Sequence, residues 1–361
     1  MVSRTLIKPD GRELILYARS RIEVDGAVPS CGVDAFAPNA HLRWHPLRGE
    51  WVAYALHRQH RTFLPPAEHN PLAAITDPSQ PTELPAGQYD VAVFENLFPA
   101  FTSNAHDAPA TLVPTQPALG RCEVVVFTQD PEASLGSLPL WHLELILEVW
   151  ADRYRVLGQR RDVQYVYPFE NRGVEVGVTL SHPHGQIYAY PFVPPIPGKE
   201  LANQRAYQDA HGRGLLADLV AGELAHGRRI LYEGADAVAF VPAVARYPYE
   251  VWVTTRIAQP SLASLDGSTR ADFARALKTI LLKYDRLWNR PFPYIMAIHQ
   301  APTDGELHPE AHVHVEFYPA YRMRDRLKYL AGSEIGAGVF TADTDPDDKA
   351  DELRAVTVSI D

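Results

Sequence analysis

The sequence predicts two related halves in tandem, each mixing strands with helices, and three observations carry that reading. First, four short patterns recur in order. Glu123-Val-Val-Val is echoed by Glu250-Val-Trp-Val, and Ser134-Leu-Gly-Ser-Leu138 by Ser261-Leu-Ala-Ser-Leu265, both at an offset of 127. Asp152-Arg153 returns as Asp285-Arg286 at 133, and His182-x-His184-x-Gln186-x-Tyr188 as His312-x-His314-x-Glu316-x-Tyr318 at 130. Ordered echoes whose offsets drift by a few residues point to an old tandem duplication. Second, 361 residues allow about two domains. The Pro-rich run from Pro191 to Pro197 reads as a linker, which divides the chain into residues 1–195 and 196–361. Third, short alternating apolar runs coexist with one strongly amphipathic helix.

In chain order, residues 1–40 read as peripheral. Pro9-Asp10-Gly11 signals a turn into a strand over Glu13–Tyr17. Arg43-Trp44 and Trp51 to Tyr54 read as two strands around a turn at Gly49. Residues 64–90 are rich in Pro, Ala and Thr and read as a long loop. Asp90 to Pro99 alternates as a strand running into a turn. Leu140, Leu143, Ile146, Val149 and Trp150 recur at helical spacing, so a helix spans Leu140 to Gln159. Val163 to Pro168 and Tyr294 to Ile298 are strands, and a helical region runs from Lys199 to about His226. Asp343 to Asp351 is an acidic stretch, read as a solvated helix or loop.

Composition narrows the function. With 46% hydrophobic residues the chain can bury a sizeable core. A net charge of −10 and a pI near 5.8 exclude a broad nucleic-acid footprint, so any phosphate site rests on a few local cations. The two cysteines, Cys31 and Cys122, form neither a metal-type pair nor a disulfide framework. The first residues carry no continuous apolar segment, and no run is long enough to span a membrane, so a cytoplasmic protein is expected.

The chemistry concentrates in Ser181-His182-Pro183-His184-Gly185-Gln186-Ile187-Tyr188. A His-x-His pair alone is weak, since roughly 0.6 such pairs arise by chance at this His content, but the full His-Pro-His-Gly-Gln string arises in roughly one chain in ten thousand. In a strand, alternate residues share a face, so His182, His184 and Gln186 are expected in a row. A neutral imidazole is a competent nucleophile near pH 7. Arg58 and Arg61, in His57-Arg58-Gln59-His60-Arg61, offer forked, permanently charged donors suited to phosphate. In the second half, His312 and His314 share a strand face and His299 ends another strand, a set that suits iron or zinc when a carboxylate joins it.

The string resembles the active-site motif of the histidine-triad superfamily, in the transferase branch that carries Gln where the hydrolases carry a third His. It is similar to the galactose-1-phosphate uridylyltransferases, over about residues 42 to 340. The resemblance implies an α+β fold of two histidine-triad-like halves, each an antiparallel sheet packed with helices, in a homodimer with shared active sites. It implies His184 as the nucleophile, with His182 and Gln186 beside it. Arg58 and Arg61 fill positions that contact nucleotide phosphates from the partner subunit. Phe94 stands where the family packs against the uracil, Asn96 near the nucleotide, and Asn171 and Thr179 in a conserved-spacing segment before the motif. Lys328 and Glu334 fall in a segment that binds the sugar-phosphate end in the partner's site. Glu200, His299, His312 and His314 match a structural metal site, of iron or zinc. The sequence departs from the family at its Cys-type zinc site: Asn70-Pro71-Leu72-Ala73 replaces Cys-Pro-x-Cys, Pro131 replaces a His, and only His182 survives, so that site is expected to be absent. Leu97 replaces an Asp and Phe340 a Gln, which affects contacts to ribose and sugar.

The implied reaction moves UMP between UDP-glucose and galactose 1-phosphate in two displacements through a uridylyl-histidine. Adenylyl transfer from an ADP-sugar or a dinucleoside polyphosphate shares the same row of residues and stays open, as does a non-catalytic nucleotide-binding protein.

Overall fold

The computed structural model describes residues 1–31, 37–60, 64–66 and 69–360. The chain opens with a hairpin, β1 (Val2–Ile7) and β2 (Glu13–Ala18), turning at Gly11 with φ +84°. After β3 (Glu23–Asp25), β4 (His41–His45) and β5 (Glu50–Tyr54) form the expected hairpin, turning at Gly49 with φ +65°. Then come β6 (Ala86–Gln88), β7 (Val91–Glu95), β8 (Thr115–Pro117) and β9 (Arg121–Val126). Helix α1 (Leu140–Gly158) leads to β10 (Tyr165–Arg172) and β11 (His184–Tyr190).

The second half starts with α2 (Pro195–His211) and α3 (Leu215–His226), followed by β12 (Ile230–Glu233), β13 (Ala237–Phe240) and β14 (Val251–Thr255). Helix α4 (Gly267–Leu287) is capped by Asp266, which accepts from the Thr269 N–H at 2.8 Å. Strands β15 (Tyr294–His299) and β16 (His314–Pro319), two short strands, and α5 (Pro346–Ala355) complete the chain. The Pro-rich run does not simply link the halves: Pro195 opens α2, where its fixed φ and missing N–H cost nothing.

The fold is α+β and antiparallel, as expected. Among the described residues eleven strands form one sheet in the order β1-β2-β7-β9-β11-β10-β15-β16-β14-β13-β12. That order reads the same from both ends by role: β10 and β15 meet at the centre, β11 and β16 flank them, and β9 and β14 follow. The duplication is therefore visible as two sheets joined edge to edge through the antiparallel pair β10–β15. One face is covered by α1 and α4, whose Leu143, Ile146, Trp150, Leu277, Ile280 and Leu281 bury against Val125, Ile187, Val253 and Val315. Arg153 of α1 makes a two-pronged bond to buried Glu123 of β9, at 2.7 and 2.9 Å.

One expectation needs correction. The N-terminal hairpin is only partly peripheral: β1 is the exposed edge strand of the main sheet, but β2 is buried within it, and the Lys8 and Arg12 side chains are buried against Glu83. The acidic stretch carries the surface helix α5, whose Asp347 and Asp351 bond Arg228 and Arg229 just beyond α3.

Candidate active site

Strand β11 begins on His184 and keeps the expected period of two. Gly185, Ile187 and Ala189 are buried on the helix-covered face, while His184, Gln186, Tyr188 and Tyr190 are half-buried on the other. Position 185 requires glycine, because a Cβ there would lie 2.8 Å from Phe127 Cζ and 3.0 Å from the Phe169 carbonyl. His182 lies just before the strand and leaves the expected row. Its ring turns inward, 1% exposed, with Nε2 2.8 Å from the Thr128 carbonyl and Nδ1 2.8 Å from Asn70 Nδ2.

The nucleophile candidate has a fixed tautomer. His184 Nδ1 lies 2.7 Å from the His182 carbonyl, which can only accept, so Nδ1 carries the proton and Nε2 keeps its lone pair. Burial lowers the His184 pKa from its ordinary 6.5, outweighing the upward pull of that hydrogen bond.

Around His184 the structure gathers most of the residues singled out in the sequence. A cavity of about 150 Å³ is lined by Arg58, Phe94, Asn96, Thr179, His184 and Gln186. A second, of about 100 Å³, is lined by Arg58, Asn171, Thr179, His184, Gln186 and Tyr188. Asn96 bonds the Phe98 N–H at 2.8 Å through Oδ1 and reaches Gln186 Oε1 with Nδ2 at 3.5 Å, leaving the Gln186 NH2 free to donate. Phe94 is 3% exposed, with Lys8 Nζ 5.4 Å and Arg12 Cζ 6.0 Å from its ring centroid.

Arg58 sits in the site of its own chain. The short 3₁₀ turn Leu56–His60 is anchored by His57 Nε2 on the Pro99 carbonyl at 2.8 Å, and Arg58 Nη1 donates to the Phe98 carbonyl at 2.9 Å and to Tyr188 Oη at 3.2 Å. Arg61 lies outside the described residues. Lys328 and Glu334 line neither cavity. Lys328 Nζ donates to the Thr341 carbonyl at 2.8 Å, and Glu334 accepts from Thr341 Oγ1 at 2.7 Å and N at 3.2 Å, so both brace their own loop. The Thr341 hydroxyl, with backbone N–H groups, holds the Glu334 pKa down at about 2.

In the second half Glu200, His299 and His314 bring three ligand atoms within 4.8 Å of one another. β15 and β16 place His299 directly opposite His314, and α2 supplies Glu200, whose Oε2 is 2.7 Å from His299 Nδ1. His312 lines the same small cavity but stands outside that group. Its Nε2 is held by the Thr255 carbonyl at 2.9 Å, while its Nδ1 is buried without a hydrogen-bond partner among the described residues, as is His299 Nε2. Orphaned imidazole nitrogens in a buried pocket with a carboxylate are the donor set a transition metal takes. Burial alone would lower the His299 pKa, but the Glu200 carboxylate overrides it and the net shift is upward.

The zinc site implied by the resemblance does not fit here. Asn70 offers an amide, Ala73 and Pro131 offer nothing, and the His182 Nδ1 lone pair already accepts the Asn70 N–H. The role of Asn70 was not legible in the sequence, because its partner lies 112 residues away.

The chain is similar to known proteins along most of its length. Residues 34–194 match the model of the galactose-1-phosphate uridyl transferase N-terminal domain, and residues 200–358 that of the C-terminal domain. The galactose-1-phosphate uridylyltransferase of Thermotoga maritima is 35% identical over 88% of this chain and 99% of its own. That of Streptomyces lividans is 36% identical over 96% of each. A solved uridylyltransferase structure is 33% identical, covering 87% of this chain and 98% of its own, with a TM-score of 0.79.

Proposed function

The chain belongs to the galactose-1-phosphate uridylyltransferase family, and we propose on that premise that His184 carries the uridylyl group as UMP passes from UDP-glucose to galactose 1-phosphate. The enzyme is a nucleotidylyltransferase. The observation that supports His184 most is its fixed tautomer, with Nδ1–H on the His182 carbonyl and the Nε2 lone pair kept on a residue that lines the same cavities as Arg58 and Gln186.

In the first displacement Nε2 attacks the α-phosphorus. An N–P bond forms, the P–O bond to the second phosphate breaks, and glucose 1-phosphate leaves with the electron pair. The imidazole becomes positively charged, and the His182 carbonyl stabilises that charge at Nδ1–H. Gln186 donates its amide N–H to a phosphoryl oxygen, and Arg58 neutralises the diphosphate. The leaving phosphate needs no proton, so an amide suffices where a general acid would otherwise stand. Galactose 1-phosphate then attacks the same phosphorus and restores the imidazole. The two bonds exchanged are alike, so no external energy source is needed. Phe94 walls the base, Asn96, Asn171 and Thr179 bond the nucleotide, and Arg61 completes the phosphate clamp.

A homodimer belongs to the same proposal: Lys328 and Glu334 brace a loop away from their own His184, which suits a loop that serves the site of a second copy. Residues 1–195 form the catalytic half and 196–361 the metal half, in a cytoplasmic protein whose Cys31 and Cys122 are free thiols. Among the described residues no helix is long and apolar enough to cross a membrane. Glu200, His299, His312 and His314 would hold iron or zinc, which would tie α2 to β15 and β16. Elemental analysis checks this: replacing His299 and His314 together by Ala should bring bound metal to background, and unchanged stoichiometric metal would refute the site.

The test of the reaction is intact-mass spectrometry of the protein mixed with UDP-glucose or ADP-glucose without acceptor. UDP-glucose should add one UMP, and galactose 1-phosphate should discharge it. An AMP adduct alone would change the base, and no adduct from either donor would leave the transferase chemistry unsupported. The pH profile follows from His184. Only the neutral imidazole attacks, so kcat/KM falls as pH drops through its free-enzyme pKa. Burial has moved that pKa down, so the acid limb should lie below 6.5. A limb above that value would assign it to another group.

A further inference from the structure

The duplicated halves hold their histidine pairs in the same way. His182 Nε2 donates to the Thr128 carbonyl at 2.8 Å, and His312 Nε2 to the Thr255 carbonyl at 2.9 Å. Each pair then repeats a second bond: His184 Nδ1 donates to the His182 carbonyl at 2.7 Å, and His314 Nδ1 to the His312 carbonyl at 2.9 Å. The halves part at one atom. Among the described residues His312 Nδ1 is buried with no hydrogen-bond partner, on a residue that shares a small cavity with Glu200, His299 and His314. His182 Nδ1 instead accepts the side-chain N–H of Asn70 at 2.8 Å. With Nε2–H committed to a carbonyl, Nδ1 carries the ring's one remaining lone pair, and an amide N–H and a metal ion cannot both use it.

Asn70 is itself held. Its Oδ1 accepts from the Leu72 N–H at 3.0 Å, which fixes the amide plane and aims Nδ2 at His182. The loop behind it is tied down by Lys8, whose Nζ bonds the Glu83 carbonyl at 2.6 Å, and by Arg12, which bonds the Glu83 carboxylate at 2.8 and 2.9 Å. The chain Asn70, His182, His184 thus runs from a braced loop to the reacting nitrogen.

We propose that Asn70 is a positioning residue of the transfer reaction: its amide N–H locks the His182 ring without a metal, and His182 passes that order through its own carbonyl to His184. The proposal rests on His184 as the nucleophile. Asn70 touches no substrate, so its loss should disturb the aim of Nε2 more than the binding of the nucleotide. Partners that orient a functional His in this way typically contribute about 10–100-fold.

Asn70→Ala should lower the single-turnover rate of nucleotidyl adduct formation by about tenfold or more, with UDP-glucose affinity within about twofold of the parent. An unchanged rate, or a loss of rate matched by a loss of affinity, would overturn the proposal. Where the variant fails to fold, the parent protein decides by histidine 15N NMR. His182 should show an unprotonated, hydrogen-bonded Nδ1 and a protonated Nε2, and neither signal should move when EDTA strips bound metal. A protonated Nδ1, or a signal that shifts on metal removal, would overturn it. The rate comparison uses whichever donor labels the parent. If none does, the transferase reading fails on its own while the NMR result still decides how His182 is held.

Discussion

Replacing His184 by Asn should abolish the UMP adduct and reduce turnover by more than about 10⁴-fold, a loss on the scale seen when a covalent nucleophile is removed. An Asn side chain is smaller than imidazole, but its Nδ2 can take the place of Nδ1 and donate to the His182 carbonyl, so the backbone around Gly185 and Phe127 is kept. Its nitrogen lone pair is delocalised into the amide and does not attack phosphorus. The base and phosphate contacts proposed for Phe94, Asn96 and Arg58 do not pass through His184, so UDP-glucose affinity should stay within about threefold. This pairing of lost chemistry with kept affinity separates a transferase from a nucleotide-binding protein, whose parent form would show no adduct to lose. An adduct that persists in the variant would move the nucleophile elsewhere. A fall in affinity as large as the fall in rate would make His184 a binding residue.

The parts of this site that were legible in the sequence are those governed by local periodicity. His184 and Gln186 share a face because they are two apart in a strand, and Gly185 lies between them on the packed side. The echo of the His-x-His pair carried information too, since it foretold two halves whose central strands now pair as β10 and β15. What stayed hidden depends on contacts across long stretches of chain. Lys8 and Arg12 fall in the segment that reads as peripheral, and long cations are seldom buried without partners. Their partner Glu83 lies more than seventy residues on, in a segment that read only as loop. Asn70 read as a missing zinc ligand, and nothing local could tell that its amide would meet His182. Lys328 and Glu334 were legible as a motif, but their bonds to Thr341 concern loop shape, which a spacing does not encode.

The largest stability effect should come from that N-terminal hairpin rather than from the site. Arg12 is 1% exposed, and it bonds Asp10 Oδ2 at 2.8 Å, both Glu83 oxygens at 2.8 and 2.9 Å, and the Glu95 carbonyl at 2.8 Å. Glu83 is also met by Lys8 Nζ at 2.7 Å. Such a cluster adds little net stability over an apolar one, because burying the charges consumes most of the attraction. Removing one member is another matter. Arg12→Met keeps much of the volume but leaves the Asp10 and Glu83 carboxylates buried with Lys8 as the remaining cation of the cluster among the described residues, and it should cost about 3–5 kcal/mol. Urea titration followed by tryptophan fluorescence would read this as a lower midpoint with little change in slope. Combining Arg12→Met with Glu83→Gln removes one of the two stranded carboxylates and should recover part of the loss, whereas independent sites would add. The same variant should loosen the wall of the nucleotide cavity, since Arg12 and Lys8 pack on the Phe94 ring that lines it. A cost below about 1 kcal/mol would mean that the cluster is screened by water and that the hairpin does not brace the loop carrying Asn70.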